Sequence, residues 1–323
     1  MSDWHGESVV SAVGHVGVEL ADLGTRITLA TPGALPRSIE RILRARFDQP
    51  PAPIEVIERI VMLMAEVGAT PTTTLGVAVW GSVASTRGEI TDPRFGDEWR
   101  DVPFTERLED RLGSTVRLGA GVNAAARAEV TRGAGIGQSP LLYVHLGRSV
   151  TSALVVDGEP LVGAHDDAGK LGHWQTGLDG PRCACGARGH LDPIVSAQSL
   201  VRLAIGAAAD DEDALAAIHH LTGRRAEALT APQLVTLARD GVRPLRELLD
   251  VALDALAGAL ANLTVTLDPQ MIVIGGPLAL ADDVLFVWLR ERISTQLSGV
   301  MPAPPVVAGA LEPHAALLGA IWS

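Results

Sequence analysis

Residues 172–192 read GHWQTGLDGPRCACGARGHLD and hold both cysteines of the chain between two histidines. Thiolate and imidazole are the ligands that Zn²⁺ prefers, and four of them around a glycine-rich loop can close a tetrahedral structural site. We therefore interpret this stretch as a zinc loop. Its four ligand candidates are His173, Cys183, Cys185 and His190.

Three other interpretations of the two cysteines compete with zinc. A disulfide across a single intervening residue is strained. Redox pairs usually space their cysteines by two residues beside a helix N-terminus. The third possibility is two unrelated thiols with two surface histidines, because Cys-x-Cys alone is a weak signal. The histidine on each side of the pair favours zinc over all three.

The bulk composition limits the class of protein. With 323 residues, the chain is long enough for two domains or one large two-lobed body. A net charge of -12 and a pI of about 5.2 argue against a protein that mainly holds nucleic acid or an anionic membrane. Residues 1–14 lack the basic start and apolar run of a signal peptide, and polar residues interrupt the long apolar segments. We therefore expect a soluble, cytoplasmic protein, and two cysteines so placed suit a reducing compartment.

Segments on both sides of the zinc loop follow one repeated order of elements. In the first half, β-branched residues predict a hairpin at 15–30, and helical spacing of apolar residues predicts a helix at 54–68 before a buried strand at 73–83. In the second half, residues 141–163 predict another hairpin, and 271–277 predict a strand that ends in a glycine pair. Two such copies imply a duplicated α/β core with a central cleft, where ligands bind.

The rest of the chain completes this pattern. Helices fill roughly residues 196–265, and their acidic segment DDED at 210–213 is more typical of an exposed helix face than of a metal site, because nothing nearby completes a ligand set. Further helices and strands are expected at 103–113, 114–120, 123–133, 305–311 and 314–322.

The zinc loop resembles the signature of the ROK family, in which Gly-His is followed by Cys-x-Cys-Gly-x-x-Gly-Cys-x-Glu. The framing segments agree in order, and the resemblance covers about residues 15–323; these segments are LGVAVWGSV, NAAARAE, LLYVHLG, LVVDGEPLVG, MIVIGGP and HAALLGA. ROK proteins are bacterial sugar kinases and sugar-responsive repressors. The resemblance implies their two-lobed actin-like ATPase (ribonuclease H-like) fold. The expected parts are an N-terminal lobe at 13–118, a C-terminal lobe at 119–309, and a last helix at about 310–323 that packs back on the first lobe.

The resemblance also assigns two sets of site residues. It implies that the four candidates named above are the zinc ligands, with His190 in place of a third cysteine, an exchange that zinc tolerates. It implies a sugar site at His173, Asn123, Lys170 and Asp192. Lys170 stands where the family has a glutamate, and this cation either attracts a sugar-derived anion or pairs with Asp166 or Asp167. Asp192 either binds sugar or acts as a helix N-cap or a support beside the zinc loop.

Three positions depart from the kinase pattern of that family. The aspartate that deprotonates the sugar hydroxyl in family kinases aligns with Gly121, which leaves no general base there. The first phosphate loop, at 19–25, and the second, at 147–151, have lost most of the glycines that let backbone amides approach phosphate. The glycines that remain as weak candidates for nucleotide binding are Gly147, Gly275 and Gly276.

These departures predict a ROK protein that is catalytically inactive and acts as a sensor of a carbohydrate-related ligand, or as a regulator-type module without its own DNA-binding domain. The alternative is an active ATP-dependent sugar kinase of the glucokinase or N-acetylhexosamine kinase type, with Asp22, Asp166 or Asp167 as a displaced base. A structural, partner-binding protein is a second alternative.

The expected cofactor is one structural zinc ion, and we expect no binding of ATP and Mg²⁺. The expected partners are a small sugar or sugar-derived anion and a second copy of the chain in a homodimer. No membrane contact is expected. No direct binding of nucleic acid is expected either, because about fourteen residues precede the first strand, and family repressors carry a much longer winged helix-turn-helix there.

Overall fold

The structure, a computed structural model, describes residues 14–22, 24–33, 38–177, 180–223 and 225–321. It separates into two compact units: one runs to Ala124 and includes the chain from Ala316, and the other extends from Ala125 to Ala315. The division into lobes at 118/119 stays a prediction from the sequence. Leu23 of the first expected turn, Trp322 of the last expected helix, and the N-terminal stretch 1–13 lie outside the described residues.

Up to Arg132, the described residues form seven strands and three α-helices, and the last of these helices crosses the boundary between the two units. They are β1 (His15–Ala21), β2 (Arg26–Pro32), β3 (Ile39–Arg46), α1 (Pro53–Glu66), β4 (Thr74–Val79), β5 (Val83–Ala84), β6 (Glu89–Ile90), α2 (Phe104–Leu112), β7 (Val116–Ala120) and α3 (Gly121–Arg132).

The rest of the chain follows in the order β8 (Leu141–Leu146), β9 (Val150–Val156), β10 (Glu159–Pro160), α4 (Asp192–Val195), α5 (Ala197–Ala208), α6 (Glu212–Thr222), α7 (Ala231–Arg239), α8 (Arg243–Leu267), β11 (Met271–Gly275), α9 (Val284–Leu297), β12 (Val306–Ala308) and α10 (Ala315–Ile321).

The main sheet of the first unit has the strand order β3-β2-β1-β4-β7. β1 pairs antiparallel with β2 and parallel with β4, and β7 continues the parallel side. Val16, Val18 and Leu20 of β1 share one buried core with Ile57 and Ile60 of α1. This packing follows from the sequence, because strand side chains alternate between faces and the apolar residues of α1 recur at helical spacing.

The other face of β1 meets the last helix. A Cβ atom on Gly17 would lie 2.6 Å from the carbonyl oxygen of Leu317 and 3.0 Å from the backbone nitrogen of Ile321. Real Cβ atoms do not approach other atoms so closely, so a residue without a side chain is required here. Gly17 therefore lets α10 lie directly on the first strand.

The sheet of the second unit has the strand order β10-β9-β8-β11-β12. β8 pairs antiparallel with β9 and parallel with β11, and β11 pairs parallel with β12. Both sheets thus have the same order and the same strand directions. This confirms the duplicated α/β core that the sequence predicts.

α8 is the central helix of the second unit. Within the described residues, it is the one helix long and apolar enough to cross a membrane by length and composition alone. Half of its most apolar segment is buried, and Leu253, Leu256 and Leu260 belong to the core of this unit. On its outer side, Asp250 pairs with Arg292 of α9 at 2.5 Å. α8 is accordingly packed as the core helix of a globular unit.

Candidate functional site

The four ligand candidates of the zinc loop meet in the second unit. One ligand atom from each of His173, Cys183, Cys185 and His190 lies within 4.8 Å of every other. The Nδ1 atoms of the two histidines are 3.2 Å apart, His190 Nδ1 lies 3.4 Å from Cys185 Sγ, and His173 Nδ1 lies 3.9 Å from Cys183 Sγ. Tetrahedral zinc with bonds of about 2.0–2.3 Å requires separations of about 3.3–3.8 Å between ligand atoms. The cluster therefore has the dimensions to hold one such metal ion.

Backbone hydrogen bonds shape the loop around this cluster. The Cys183 N–H donates to Ala187 O at 2.8 Å and the Gly186 N–H donates to Cys183 O at 2.9 Å, which closes a tight turn around the second cysteine. Gly186 has a φ of +95°, a conformation that favours glycine. The Leu191 N–H donates to Trp174 O at 2.9 Å, so the two ends of the loop, each with its histidine, lie side by side.

Both cysteines are free thiols, which disfavours the disulfide interpretation. Burial raises the pKa of the Cys183 thiol, and the neighbouring Cys185 raises it further. A metal ion binds the thiolate, so binding to this cluster must release protons and must weaken as the pH falls.

Two candidate sugar ligands near the zinc loop already have partners. Lys170 Nζ lies 2.7 Å from Asp167 Oδ1, so the lysine is paired as one of the two interpretations expects. Asp192 is the first residue of α4, and its Oδ1 accepts the backbone N–H of Val150 at 2.6 Å. Asp192 thus ties the end of the zinc loop to the start of β9, a positioning role distinct from an N-cap.

Gly121, which aligns with the general base of the family's kinases, is the first residue of α3 and lies in the first unit. A Cβ atom there would lie 2.9 Å from Cδ2 of Trp80, so the indole fills the space that a side chain would need. Two residues further on, Asn123 has its Oδ1 buried and without a hydrogen-bond partner among the described residues. Of the predicted sugar ligands, Asn123 is the one with an unused acceptor.

The predicted nucleotide glycines lie in the second unit at the carboxyl ends of the parallel neighbours β8 and β11. Gly276 has a φ of +85°, and a Cβ on it would lie 2.8 Å from Leu146 O. Its N–H donates to Oε1 of Glu312 at 2.8 Å, and the Tyr143 hydroxyl donates to the same oxygen at 3.0 Å. Gly147 follows β8 directly, so the three glycines share one edge of the sheet.

His145 lies beneath this edge and was not anticipated from the sequence. A Cβ on Gly276 would lie 3.1 Å from its Cε1. Desolvation by burial lowers the pKa of His145 to about 3, so the imidazole is neutral at pH 7. Burial also raises the pKa of the Glu312 carboxyl above its ordinary value. The sequence feature that could have pointed to His145 and Glu312 was the strand that ends in a glycine pair, because both residues lie beside it in the fold.

The turn after β1, which was expected to correspond to the first phosphate loop, is closed by hydrogen bonds among its own residues. The Thr25 hydroxyl donates to the carbonyl oxygen of Asp22 at 2.8 Å, and the Gly24 N–H donates to Ala21 O at 3.1 Å. The Asp22 carboxylate lies 3.5 Å from Nε of Arg26. This turn keeps one glycine at positive φ, with Gly24 at +81°.

Comparisons with known proteins place these features in context. The model of the ROK family matches residues 24–323. A glucokinase of Thermotoga maritima is 32% identical over 272 residues, which is 82% of this chain and 84% of that protein. The crystal structure of a ROK family glucokinase from Streptomyces griseus in complex with glucose and AMPPNP has a TM-score of 0.81 at 24% identity, over 95% of this chain and 97% of that one. A ROK hexokinase from Thermus thermophilus has a TM-score of 0.75 at 26% identity, over 95% and 96% of the two chains. These neighbours have the two-lobed actin-like ATPase fold, which confirms the expected fold.

The comparisons also correct the function expected from sequence alone. The interpretation as an inactive sensor or regulator-type module is wrong, because sugar kinases match over most of this chain and favour the alternative of an active kinase. The expectation overvalued the missing carboxylate at Gly121 and the lost loop glycines. Phosphoryl transfer relies mainly on positioning and electrostatic stabilisation, so loss of a base predicts slower catalysis and not its absence.

Proposed function

Because this chain belongs to the ROK family, we propose that it is a sugar kinase that transfers a phosphoryl group from ATP to a hydroxyl of a hexose. The observation that carries the proposal is the 32% identity with a glucokinase over 82% of the chain. Glucose is the first substrate to test, and the N-acetylated hexosamines are the next.

On the side of the phosphoryl donor, the proposal uses the edge formed by Gly147, Gly275 and Gly276. Backbone that lacks side chains at the carboxyl ends of parallel strands is a common place for a nucleotide to approach. The Gly276 N–H donates to the carboxyl group of Glu312, which would repel phosphate at this edge when it is ionised. The raised pKa of Glu312 favours its neutral form, and a neutral side chain repels phosphate less.

On the side of the sugar, the proposal uses Asn123, His173 and Asp192. Asn123 offers a buried acceptor without a partner in the described part of the chain. A sugar hydroxyl donates to acceptors of this kind. The positive charge of Lys170 is paired with the Asp167 carboxylate, which supports an uncharged sugar over a sugar-derived anion.

The base for the attacked hydroxyl has to come from elsewhere than Gly121. Among the displaced candidates, Asp22 and Asp167 are paired with cations in the described structure. Asp166 has a φ of +57° on the loop before Lys170. Lack of a well-placed base costs about 10²- to 10⁴-fold in rate. Since typical values of kcat are about 1–10³ s⁻¹, we expect slow turnover from this enzyme.

We propose that zinc occupies the cluster of His173, Cys183, Cys185 and His190 as a structural ion. The separations of the ligand atoms support a tetrahedral ion, and the Cys₂His₂ set is of a kind that zinc favours. The ion would supply a cross-link that holds the loop 172–192 in place. His173 and Asp192, both at the ends of that loop, would be fixed by it. We further propose that the enzyme is cytoplasmic and forms a homodimer.

The proposal is tested by following the transfer of radiolabel from the γ-phosphate of ATP to glucose, mannose, N-acetylglucosamine and N-acetylmannosamine. Slow transfer can come from a contaminating host kinase, so Asp22→Asn and Asp166→Asn are purified and assayed in parallel. We expect transfer to at least one sugar, and a rate that one of the two variants lowers. The absence of any label transfer above that of an unrelated protein from the same host would overturn the proposal.

A further inference from the structure

Trp80 and Gly121 occupy equivalent places at the end of neighbouring parallel strands in the first unit. β4 ends at Val79, which is in register with Ala120 at the end of β7. Trp80 and Gly121 are therefore the residues that directly follow β4 and β7. The carboxyl ends of parallel strands are where ligands bind in open α/β sheets.

The indole of Trp80 packs on the backbone of Gly121. A Cβ on Gly121 would lie 2.9, 3.1 and 3.2 Å from Cδ2, Cε2 and Cε3 of Trp80, so the six-membered ring of the indole covers this glycine. The backbone N–H of Trp80 donates to the backbone oxygen of Leu20 at 2.9 Å, which fixes the backbone at the end of β4. The side chain therefore has a defined place, and it depends on the absence of a side chain at Gly121.

Trp80 is half-buried. Trp99 in the same unit differs, since it is 2% exposed and belongs to the core. Aromatic residues make up only 3% of the chain. An indole left partly open at the ligand-binding edge of a sheet is accordingly better explained by a ligand than by core packing.

A pyranose ring has the chemistry to cover such an indole. Its ring carbons present C–H groups above and below the ring, and a flat aromatic face accepts apolar surface of this kind. In glucopyranose the ring hydroxyl groups at C2, C3 and C4 are equatorial, so both faces stay apolar. An axial hydroxyl, as in mannose at C2 or galactose at C4, interrupts one face. Small-molecule sites combine such an aromatic wall with a few polar groups.

We propose that Trp80 is the surface on which the sugar ring stacks and that it determines a preference for glucose over its axial epimers. This inference rests on the proposed sugar-kinase function. Asn123, two residues after Gly121 and with a buried acceptor unpaired in the described structure, provides a polar group on the same helix for a sugar hydroxyl. A merely structural role, in which the indole only fills the space over Gly121, would affect stability and leave the choice of sugar unchanged.

The test compares Trp80→Leu, which keeps an apolar side chain but loses the ring, with Trp80→Phe, which keeps a ring. Trp174→Phe serves as a control for loss of an indole elsewhere. Binding of glucose, mannose and galactose is measured by calorimetry, KM and kcat by label transfer, and the melting temperature by circular dichroism. We expect Trp80→Leu to raise Kd and KM for glucose about tenfold, which corresponds to about 1.4 kcal/mol, with kcat changed less than about threefold. Its preference for glucose over mannose and galactose should shrink, whereas Trp80→Phe and Trp174→Phe should stay within about threefold of the wild type.

The outcomes separate the two proposals. If the wild type binds or phosphorylates sugars but Trp80→Leu changes only the melting temperature, the stacking role is wrong and the kinase proposal stands. If the wild type neither binds nor phosphorylates any of the three sugars, the kinase proposal fails and the stacking role fails with it.

Discussion

The carboxylate of Glu129 accepts the backbone N–H of Leu311 at 2.9 Å, across 182 positions of sequence. The same carboxylate accepts the amides of Ala310 and Ala134 at 3.1 and 2.8 Å, and Glu129 is completely buried. Three amides of two separate loops thus share one acid at the end of α3. A buried carboxylate so arranged links the two segments to α3 through charge-assisted hydrogen bonds.

Replacing Glu129 should therefore be costly. Glu129→Ala removes the acceptor of the buried Leu311 amide and of the part-buried amides of Ala134 and Ala310. A buried amide without an acceptor costs about 1–3 kcal/mol, so we expect a loss of about 2 kcal/mol or more in the free energy of unfolding. Urea unfolding followed by circular dichroism measures this. Glu159→Ala, which removes an exposed glutamate of the same unit, is the control and should cost less than about 1 kcal/mol. Similar stabilities for the two variants would contradict the role of Glu129.

The pH dependence of stability should report on Glu312. Its folded-state pKa is raised above the ordinary 4.5, chiefly by burial, so its charged form is penalised above that raised pKa and the penalty disappears as the pH falls. Glu312→Gln keeps an oxygen acceptor for Gly276 and Tyr143 without the charge. We expect this variant to melt at the same or a higher temperature than the wild type at pH 8, and its advantage to shrink towards pH 5. An advantage that grows on acidification would contradict the raised pKa.

The metal content of the purified protein should be close to one zinc ion per chain. Cys185→Ser and His190→Ala each remove one of the four ligands, so both should lose most of the metal and melt at a lower temperature. Elemental analysis by mass spectrometry measures the zinc, and calorimetry with and without chelator measures the stability. Arg188→Ala, in the same loop but without a ligand atom, is the matched control. Full zinc content in Cys185→Ser would show that the ion is bound elsewhere.

Adding a side chain at Gly121 should disturb Trp80. A Cβ at 2.9 Å from the indole overpacks the site, so Gly121→Ala should cost about 1–3 kcal/mol of stability. Gly119→Ala is the control, because a Cβ there meets nothing within 4 Å. The double variant Gly121→Ala, Trp80→Ala should recover part of the loss, which a double-mutant cycle of unfolding free energies measures. Additive effects would mean that the two residues do not touch in solution.

The pair formed by Lys170 and Asp167 should contribute little to stability. Both side chains are about two-fifths exposed, and exposed ion pairs are worth about 0–1 kcal/mol. Lys170→Met should therefore keep the melting temperature of the wild type within about 4 °C. Gluconate and glucosamine 6-phosphate should stabilise the wild type no more than glucose does, as a thermal-shift titration shows. A strong, salt-sensitive effect of the anions that Lys170→Met abolishes would restore the interpretation as an anion site.

Much of the fold could be predicted because local patterns decide it. The hairpin at β1 and β2 and the helix α1 follow from alternation and from helical spacing. β3 was missed, because IERILRAR is an edge strand in which only Ala45 is buried, so it shows no alternation of apolar residues. α9 was also missed, although Leu285, Leu289 and Ile293 recur at helical spacing.

The candidate site was predictable only where it is local in sequence. The four metal ligands lie within one loop, so their spacing alone brought them together. The contact of Trp80 with Gly121 depends on the parallel register of β4 and β7, which are separated by residues 80–115, including the helix α2. The contact between Glu312 and Gly276 likewise joins two segments through the sheet. A single sequence carries no local signal for such pairs.

The close packing of α10 on Gly17 has a consequence for folding during synthesis. Leu317 leaves the ribosome 300 residues after Gly17, which at about 5–20 residues per second is roughly 15–60 s later. During that interval the sheet of the first unit can assemble its strands, but the face of β1 that carries Gly17 lacks the helix that covers it. β1 is translated long before α10 but is therefore among the last strands of this sheet to be covered, and chaperones can bind the uncovered face in the meantime.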